Sequence, residues 1–309
     1  MKRFFFKGFL LFLAVSVTLL ALNFFYVRTT YFSQKDDLSK FSDVPENLEI
    51  VNLGSSHGQC AFDYSELPLK GFNFSLSSQD FFYDLSILSQ YQENLVPQAV
   101  VLIPVSLFSF GVEREEPDST FQEINPRYYR FLRNDLIYEF SFKKALRYRV
   151  LPILSANGNL IRIVWDSSKS NRLAESRNLI ASTEWEKVGK ERAEFHISIF
   201  DETNFKENQN LLKQIVGFCR EAGFHPILIT TPLSKWYLDP IPTEIWGRFH
   251  DLVESVSGEL DVPYLDYSQD PDFYEEMDLF LDTDHLNLTG RKLFTQKVFH
   301  ELEPLFDKQ

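Results

Sequence analysis

Cysteine is scarce in this chain: its 309 residues include only Cys60 and Cys219. Two cysteines cannot build the disulfide framework that holds small secreted domains together. Cys219 shares a helical face with Leu212 and Ile215, which predicts a small buried core residue, while the sequence leaves open whether Cys60 pairs with it. Because 44% of the residues are hydrophobic and 24% are charged, we expect a folded protein with an ordinary hydrophobic core.

Positive charge is also scarce, since the chain has 31 basic and 44 acidic residues and its formal net charge is −13. The first 30 residues contain basic residues and no acidic ones, so the rest of the chain is more acidic still. An acidic body argues against a nucleic-acid partner, because phosphate binding needs a basic face. One cluster is an exception, and it is either the solvated side of helices or a patch that meets anionic lipid headgroups or an anionic polymer: Arg127, Arg130, Arg133, Lys143, Lys144, Arg147 and Arg149.

Charge is absent from one long apolar run, Gly8–Val27. Twenty helical residues span about 30 Å, the thickness of a bilayer's hydrocarbon core. Three basic residues precede the run and only Arg28 closely follows it, which predicts an N-terminus in the cytoplasm and a body outside. The alternative is a cleaved signal peptide, but the run is longer than a usual signal core and lacks a small-x-small cleavage pattern. With no cysteine nearby, the sequence predicts a membrane anchor over residues 1–30 without lipidation, followed by a linker over 31–46.

The remainder, 47–309, alternates short apolar runs with amphipathic stretches. Three of the runs, AVVLIPV, PILITT and VPYLDY, have apolar residues at both odd and even positions, as strands covered by helices on both faces must. This pattern predicts an α/β fold, a three-layer α/β/α sandwich with a parallel, flavodoxin-like sheet. The predicted strands are 48–53, 71–75, 98–105, 226–231 and 262–267, and the predicted helices are 79–92, 203–222, 242–256 and 288–306. Residues 110–200 break the rhythm and are predicted to form a mainly helical insertion over the carboxyl edge of the sheet.

Two polar clusters follow predicted strands, Gly54-Ser55-Ser56 near the start and Asp282-Thr283-Asp284-His285 near the end. Ligands of an open parallel sheet bind outside the carboxyl ends of its strands, so the two clusters can converge there. A serine becomes a nucleophile when a histidine takes its proton and a carboxylate orients that histidine. We therefore predict Ser56 as nucleophile, His285 as base and Asp282 as its orienting carboxylate, with Asp284 as a less suitable alternative.

Taken together, Gly54-Ser55-Ser56 and the late block Asp282 to Asn287 resemble the SGNH (GDSL) hydrolase superfamily. The N-terminal anchor and the DxDHLN pattern more narrowly resemble its membrane-anchored DltD and AlgJ-like branch, which works beside membrane-bound O-acyltransferases. The resemblance covers most of residues 46 to 306 outside the insertion. It implies a serine acyl-esterase or O-acyltransferase that acts on a cell-envelope polysaccharide or related polymer, uses no cofactor and has a polytopic acyltransferase as partner.

The resemblance also implies an oxyanion hole built from the backbone N–H groups of Ser56 and Ser75. The chain departs from the family pattern because VLIPVSLFSF, after the third strand, lacks the usual asparagine. Loss of one such donor costs roughly 100- to 1000-fold in rate, which leaves a non-catalytic relative that binds a glycan or an acyltransferase as an alternative. Four further residues are expected at the pocket, although His57 could instead cap a helix: His57, Asp284, Ser106 and Asn73.

A third hypothesis treats the acidic and histidine residues as metal ligands of a hydrolase, namely His57, Asp282, Asp284 and His285. It predicts metal in the purified protein and leaves Ser56 without a role. The sequence therefore favours serine chemistry without a metal.

Overall fold

The chain divides into two compact units in the computed structural model, which describes residues 1–29, 32, 35–114, 120–156 and 182–306. One unit combines Met1–Asp43 with Asn125–Ser176, and the other combines Val44–Ile124 with Arg177–Gln309. The predicted linker 31–46 and insertion 110–200 are thus each split between the units. Within the first unit, the side-chain amide of Asn23 donates to Val150 O at 3.3 Å and accepts from Ile153 N at 3.1 Å, which ties part of the predicted insertion to the N-terminal helix.

The second unit contains a five-stranded sheet in the order β2-β1-β3-β4-β5, with every neighbouring pair parallel. This is the flavodoxin-like strand order, and the predicted α/β fold with a parallel sheet is confirmed. The strands are β1 (Leu48–Asn52), β2 (Gly71–Asn73), β3 (Leu95–Pro104), β4 (His225–Thr230) and β5 (Tyr264–Asp266). The helices in chain order are α1 (Lys2–Tyr26), α2 (Ser56–Gln59), α3 (Phe81–Tyr91), α4 (Thr120–Tyr128), α5 (Phe142–Ala145), α6 (Trp185–Ile199), α7 (Phe205–Glu221), α8 (Lys235–Leu238), α9 (Thr243–Leu260) and α10 (Leu288–Phe306).

The register of the sheet brings the carboxyl ends of β1 and β3 together. Asn52, the last residue of β1, pairs with Leu102 of β3 and with Asn73 of β2. Residues 99–104 of β3 are fully buried, because the central strand has a neighbour on each side and helices on both faces. The loops that follow β1 and β3 therefore leave the same edge of the sheet.

Helix α1 is the apolar N-terminal helix that the sequence predicted. An 18-residue window within its stretch Arg3–Tyr26 has a mean hydropathy of 2.3, and none of that window is buried against other described residues. Tyr26, at the end of the helix, is buried. The helix is long and apolar enough to cross a membrane, a property that signal sequences share.

Helix α6 packs closely on α8 through a glycine. A Cβ atom added at Gly189 would lie 2.0 Å from the backbone oxygen of Trp236. We expect Gly189→Ala to lower the free energy of unfolding by about 1–3 kcal/mol, because the two helices must separate to admit the methyl group. Urea denaturation of the full chain in detergent measures this effect.

Gly217→Ala is the matched control for that substitution. Gly217 lies inside α7, where an added Cβ meets nothing within 4 Å. Alanine restricts the unfolded chain more than glycine does, so this variant should be about 0.5–1 kcal/mol more stable than the parent. Equal stability of the two variants would contradict the close packing of α6 on α8.

Candidate active site

Ser56 stands at the end of β1, on the first turn of the short helix α2. Gly54 makes the turn between them with a φ of +107°, a conformation that side chains rarely adopt. A Cβ at Gly54 would also lie 3.0 Å from the ring of Pro104 at the end of β3. Only glycine fits both the angle and the close approach, so the sequence at this position sets the direction in which the chain carries Ser56.

A tight loop before α10 positions Asp282 and His285. Phe280 and Leu286 form an antiparallel bridge across it, and Leu281 N–H donates to His285 O at 2.7 Å. The hydroxyl of Ser234 donates to the backbone oxygen of Thr283 at 2.5 Å and attaches the loop to the residues that follow β4. The bridge closes the loop, and within it the side chains of Asp282 and His285, three residues apart, are hydrogen-bonded to each other.

The structure brings Ser56, His285 and Asp282 into one hydrogen-bonded row. Ser56 Oγ lies 2.8 Å from His285 Nε2. His285 Nδ1 lies 2.8 and 2.9 Å from the two carboxylate oxygens of Asp282. The nearest oxygen of Asp284 is 3.6 Å from the same nitrogen, beyond hydrogen-bond distance. Asp282 is therefore the carboxylate that orients the imidazole.

The buried carboxylate of Asp284 dominates the electrostatics beside this row. Burial would lower the pKa of His285, but the charge of Asp284 and the hydrogen bond to Asp282 outweigh it and raise that pKa to about 9. Burial would likewise raise the pKa of Asp284, but the charge of His285 and the hydrogen bond from His57 hold it well below its usual range. Near neutral pH, Asp284 is thus ionised and His285 is largely protonated.

A second histidine–aspartate pair lies behind the row. His57 Nε2 is 3.1 Å from Asp284 Oδ2, and His57 Nδ1 is 2.9 Å from the hydroxyl of Ser106. Burial lowers the pKa of His57, so the neutral ring donates from Nε2 to Asp284 and accepts the Ser106 proton at Nδ1. Arg192 Nε donates to the other Asp284 oxygen at 3.2 Å. The carboxylate is therefore held on both oxygens.

A cleft of about 560 Å³ opens in front of Ser56. Its wall is shared between the two polar clusters and helix α6, which belongs to the predicted insertion. Residues that line it include Ser56, Ser77, Ser78, Arg192, Phe195, His196, Asp282 and His285. Its volume lies within the range of small-molecule sites, enough for an acyl group and part of an alcohol.

Two of these lining residues, Arg192 and His196, were not identified from the sequence. His196 is buried, its Nδ1 lies 2.8 Å from the hydroxyl of Tyr237, and burial lowers its pKa to about 3. The only sequence signal was their spacing of four residues, which places both on one face of α6.

The structure corrects the expected pocket residues. His57, Asp284 and Ser106 are buried and do not line the cleft, because they bond to one another behind it. Asn73 is also outside the lining: its amide donates to the backbone oxygens of Gly58, Gln59 and Phe62 and so holds the turn that carries Ser56.

The expected oxyanion donor at Ser75 is also corrected. Its N–H donates to the side-chain oxygen of Asn73 at 3.0 Å, and its hydroxyl donates to Leu53 O at 2.6 Å. Ser77 and Ser78 follow it and do line the cleft, and Ser78 adopts a left-handed φ of 55°. Within the part of the chain that the structure describes, the backbone N–H groups of Ser77 and Ser78 donate to no backbone oxygen.

The side-chain atoms that could bind a metal ion already form hydrogen bonds with one another. Possible ligand atoms lie within 4.8 Å of one another in two overlapping groups, one of His57, His196 and Asp284, the other of Asp282, Asp284 and His285. An ion in the first group would replace the bond between His57 and Asp284, and one in the second would replace that between His285 and Asp282. A metal ion at either place would therefore displace one of these hydrogen bonds.

The chain matches no family model and no curated protein sequence. Solved structures resemble it at low identity. A candidate acylhydrolase from Bacteroides fragilis is 10% identical with a TM-score of 0.42, over 88% of this chain and 97% of that one. The acetylxylan esterase Axe2 from Geobacillus stearothermophilus is 12% identical with a TM-score of 0.36, over 84% of this chain and 95% of that one. Similarity at this level says nothing about the activity of this chain, which its own residues must indicate.

Proposed function

We propose that this chain is a membrane-anchored serine acyl-esterase or O-acyltransferase that works through an acyl-enzyme at Ser56. The observation that carries the proposal is the row of hydrogen bonds from Ser56 Oγ through His285 to Asp282. Each contact has the length and the partner that an activated serine needs. The resemblance to SGNH hydrolases in the residues of both polar clusters points to the same chemistry.

In the proposed reaction, neutral His285 accepts the hydroxyl proton at Nε2 while Ser56 Oγ bonds to the acyl carbonyl carbon. Asp282 accepts from Nδ1–H and stabilises the imidazolium that forms. The N–H of Ser56, with that of Ser77 or Ser78, stabilises the oxyanion. Collapse of the tetrahedral intermediate breaks the ester bond, and His285 returns its proton to the leaving alcohol.

The second half-reaction decides between hydrolysis and transfer. Water or a hydroxyl of a second molecule gives its proton to His285 while its oxygen bonds to the acyl carbon. The bond from that carbon to Ser56 Oγ then breaks, and His285 returns the proton to Ser56 Oγ. Both outcomes use the same residues and differ only in the acceptor that reaches the cleft. We propose acyl groups on a cell-envelope polysaccharide or related polymer as substrate, with α1 as the anchor, the body outside the cytoplasm, and a polytopic O-acyltransferase as partner.

A fluorophosphonate probe tests the proposal on the full chain in detergent, since it reacts only with an activated serine. At about pH 9, where roughly half of His285 is neutral, we expect one adduct, located at Ser56 by peptide mass analysis. Ser56→Ala and His285→Ala should each abolish it. Ser65→Ala is the matched control, because Ser65 is exposed and lies outside the cleft, and it should label like the parent.

The same experiment separates the alternatives. A folded parent protein that does not label would favour the non-catalytic alternative, a protein that binds a glycan or an acyltransferase. Ester hydrolysis that an unlabelled parent protein performs and loses after treatment with a chelator would favour the metal-dependent hydrolase. Labelling that survives the chelator supports the serine mechanism.

A further inference from the structure

Part of the first unit exposes an apolar stripe to solvent. Helix α5 continues into a π-helical turn, Leu146–Val150, and then into a short helix, Pro152–Ser155. We call this stretch the 142–155 segment. Every fourth residue along it is apolar and exposed, by 84%, 50%, 57% and 47% in turn, and these residues form the apolar stripe: Phe142, Leu146, Val150 and Leu154. Spacing by four puts Phe142 and Leu146 on one side of the helical stretch, and Leu154 follows an interruption at Leu151, whose φ is −126°. Four large exposed apolar side chains within 13 residues mark a contact surface.

Basic side chains lie between the apolar ones. Lys143, Lys144 and Arg147, here the basic trio, have no carboxylate partner within the described residues of the structure. Arg149 differs, because it donates to the backbone oxygens of Tyr129 and Leu132 and so holds the segment in place. An apolar stripe flanked by uncompensated cations has the composition of a helix that lies in the surface of an anionic membrane.

The contact with α1 fixes the depth at which the segment meets a bilayer. Asn23 holds Val150 and Ile153 through its side-chain amide. It lies four residues, about 6 Å, before Val27, where the uncharged run ends. If α1 spans the membrane with its basic end in the cytoplasm, this contact is at the outer boundary of the hydrocarbon core. The carboxyl-terminal part of the segment, which Asn23 holds, therefore lies at the boundary between acyl chains and headgroups.

We propose that the 142–155 segment lies in the outer interface of an anionic bilayer, with its apolar stripe among the upper acyl chains and its basic trio against lipid phosphates. The inference rests on the proposed membrane span of α1. It gives the anchor a second attachment that a single helix lacks: the segment fixes how the first unit is rotated about α1. The shared contacts with Asn23 then transmit this orientation to the helix end.

Lipid-dependent quenching tests the proposal on the full chain in vesicles of equal parts phosphatidylcholine and phosphatidylglycerol. Cys60 and Cys219 are both buried, so a fluorophore can be attached at introduced cysteines, and the unsubstituted chain checks for background labelling. Labels at Phe142→Cys and Leu146→Cys should be quenched at least twofold more by lipids with a nitroxide just below the headgroup than a label at Asp135→Cys. Asp135 is an exposed acidic residue of the same unit and serves as the matched position.

A label at Phe12→Cys, in the middle of α1, separates the two proposals. Quenching of Phe12→Cys by nitroxides near the bilayer centre, without quenching at the apolar stripe, overturns this inference alone. A label at Phe12→Cys that no lipid quenches overturns the membrane span and this inference with it, and leaves the chemistry at Ser56 untouched. Stripe labels shielded from both lipid nitroxides and aqueous iodide overturn the inference in favour of a protein partner.

Charge reversal of the basic trio tests the electrostatic part. The triple variant Lys143→Glu, Lys144→Glu and Arg147→Glu should reduce quenching at Leu146→Cys at least twofold in the anionic vesicles. It should also remove the difference between anionic vesicles and pure phosphatidylcholine. Lys187→Glu, at an exposed lysine of the other unit, is the control and should change neither. A triple variant that behaves like the parent overturns the role of the trio.

Discussion

Ser56→Ala is expected to lower kcat for hydrolysis of a small acyl ester by roughly 10⁴-fold or more. The substitution removes the only oxygen that lies within hydrogen-bond distance of His285 Nε2, at 2.8 Å in the described part of the chain. Without it no acyl-enzyme forms, and the cleft retains only binding and oxyanion stabilisation. Release of nitrophenol from nitrophenyl acetate, measured on the full chain in detergent, gives kcat and KM separately.

Two further variants test whether Ser56 and His285 contribute to kcat as one unit or independently. His285→Ala should cost about as much as Ser56→Ala, and the double variant should be no worse than either, because members of a triad act as a unit. Ser65→Ala should keep the parent rate. A Ser56→Ala protein that retains more than about a tenth of the parent kcat would contradict the acyl-enzyme. It would favour attack by a bound water or a binding role for the site.

The fold could be predicted because the signals for it are local. The central strand β3 is apolar on both faces, and the amphipathic spacing of α7 and α9 is strong, so their positions follow from the sequence to within a few residues. The loop before α10 could be predicted as well, since the spacing of Asp282 and His285 already allows the hydrogen bond between them. Such features depend on neighbours in the chain.

The features that were missed depend on distant contacts. Arg192 reaches Asp284 across 92 residues, from a helix whose charged sequence looks like an ordinary solvated surface. The N–H of Ser75 cannot serve in the oxyanion hole while it donates a hydrogen bond to the side-chain oxygen of Asn73, two residues earlier. His57 and Asp284 stand next to catalytic candidates in the sequence but bond to each other behind the cleft. No spacing rule shows in which direction such groups point.

The pH dependence of the proposed reaction is the second large effect. His285 must be neutral to accept the proton of Ser56, and its pKa is raised to about 9. The active fraction therefore increases with pH: near pH 7 it is about one hundredth of the maximum, it rises roughly tenfold per pH unit up to about pH 8, reaches about half of the maximum near pH 9 and levels off about one unit higher. We expect kcat/KM to follow this curve, with an apparent pKa well above that of a free imidazole. An apparent pKa at or below 6.5 would contradict the electrostatic account of the site.

Asp284→Asn identifies the source of that shift. Burial lowers the pKa of His285, and the charge of Asp284 is the largest effect that raises it. Asparagine keeps an oxygen that can accept from His57 or Arg192 but carries no charge, so the apparent pKa should fall by about one unit or more. Activity at pH 7, as a fraction of each protein's own plateau, should then be about tenfold or more higher in the variant than in the parent, although the plateau itself can be lower. Asp282→Asn is the matched comparison, since it disturbs the imidazole's orientation and should lower the plateau by roughly 10²- to 10⁴-fold.

If Asp284→Asn left the apparent pKa unchanged in a protein with parental circular dichroism, Asp284 would only hold His57 and Arg192 in place, and the high pKa of His285 would have to come from Asp282.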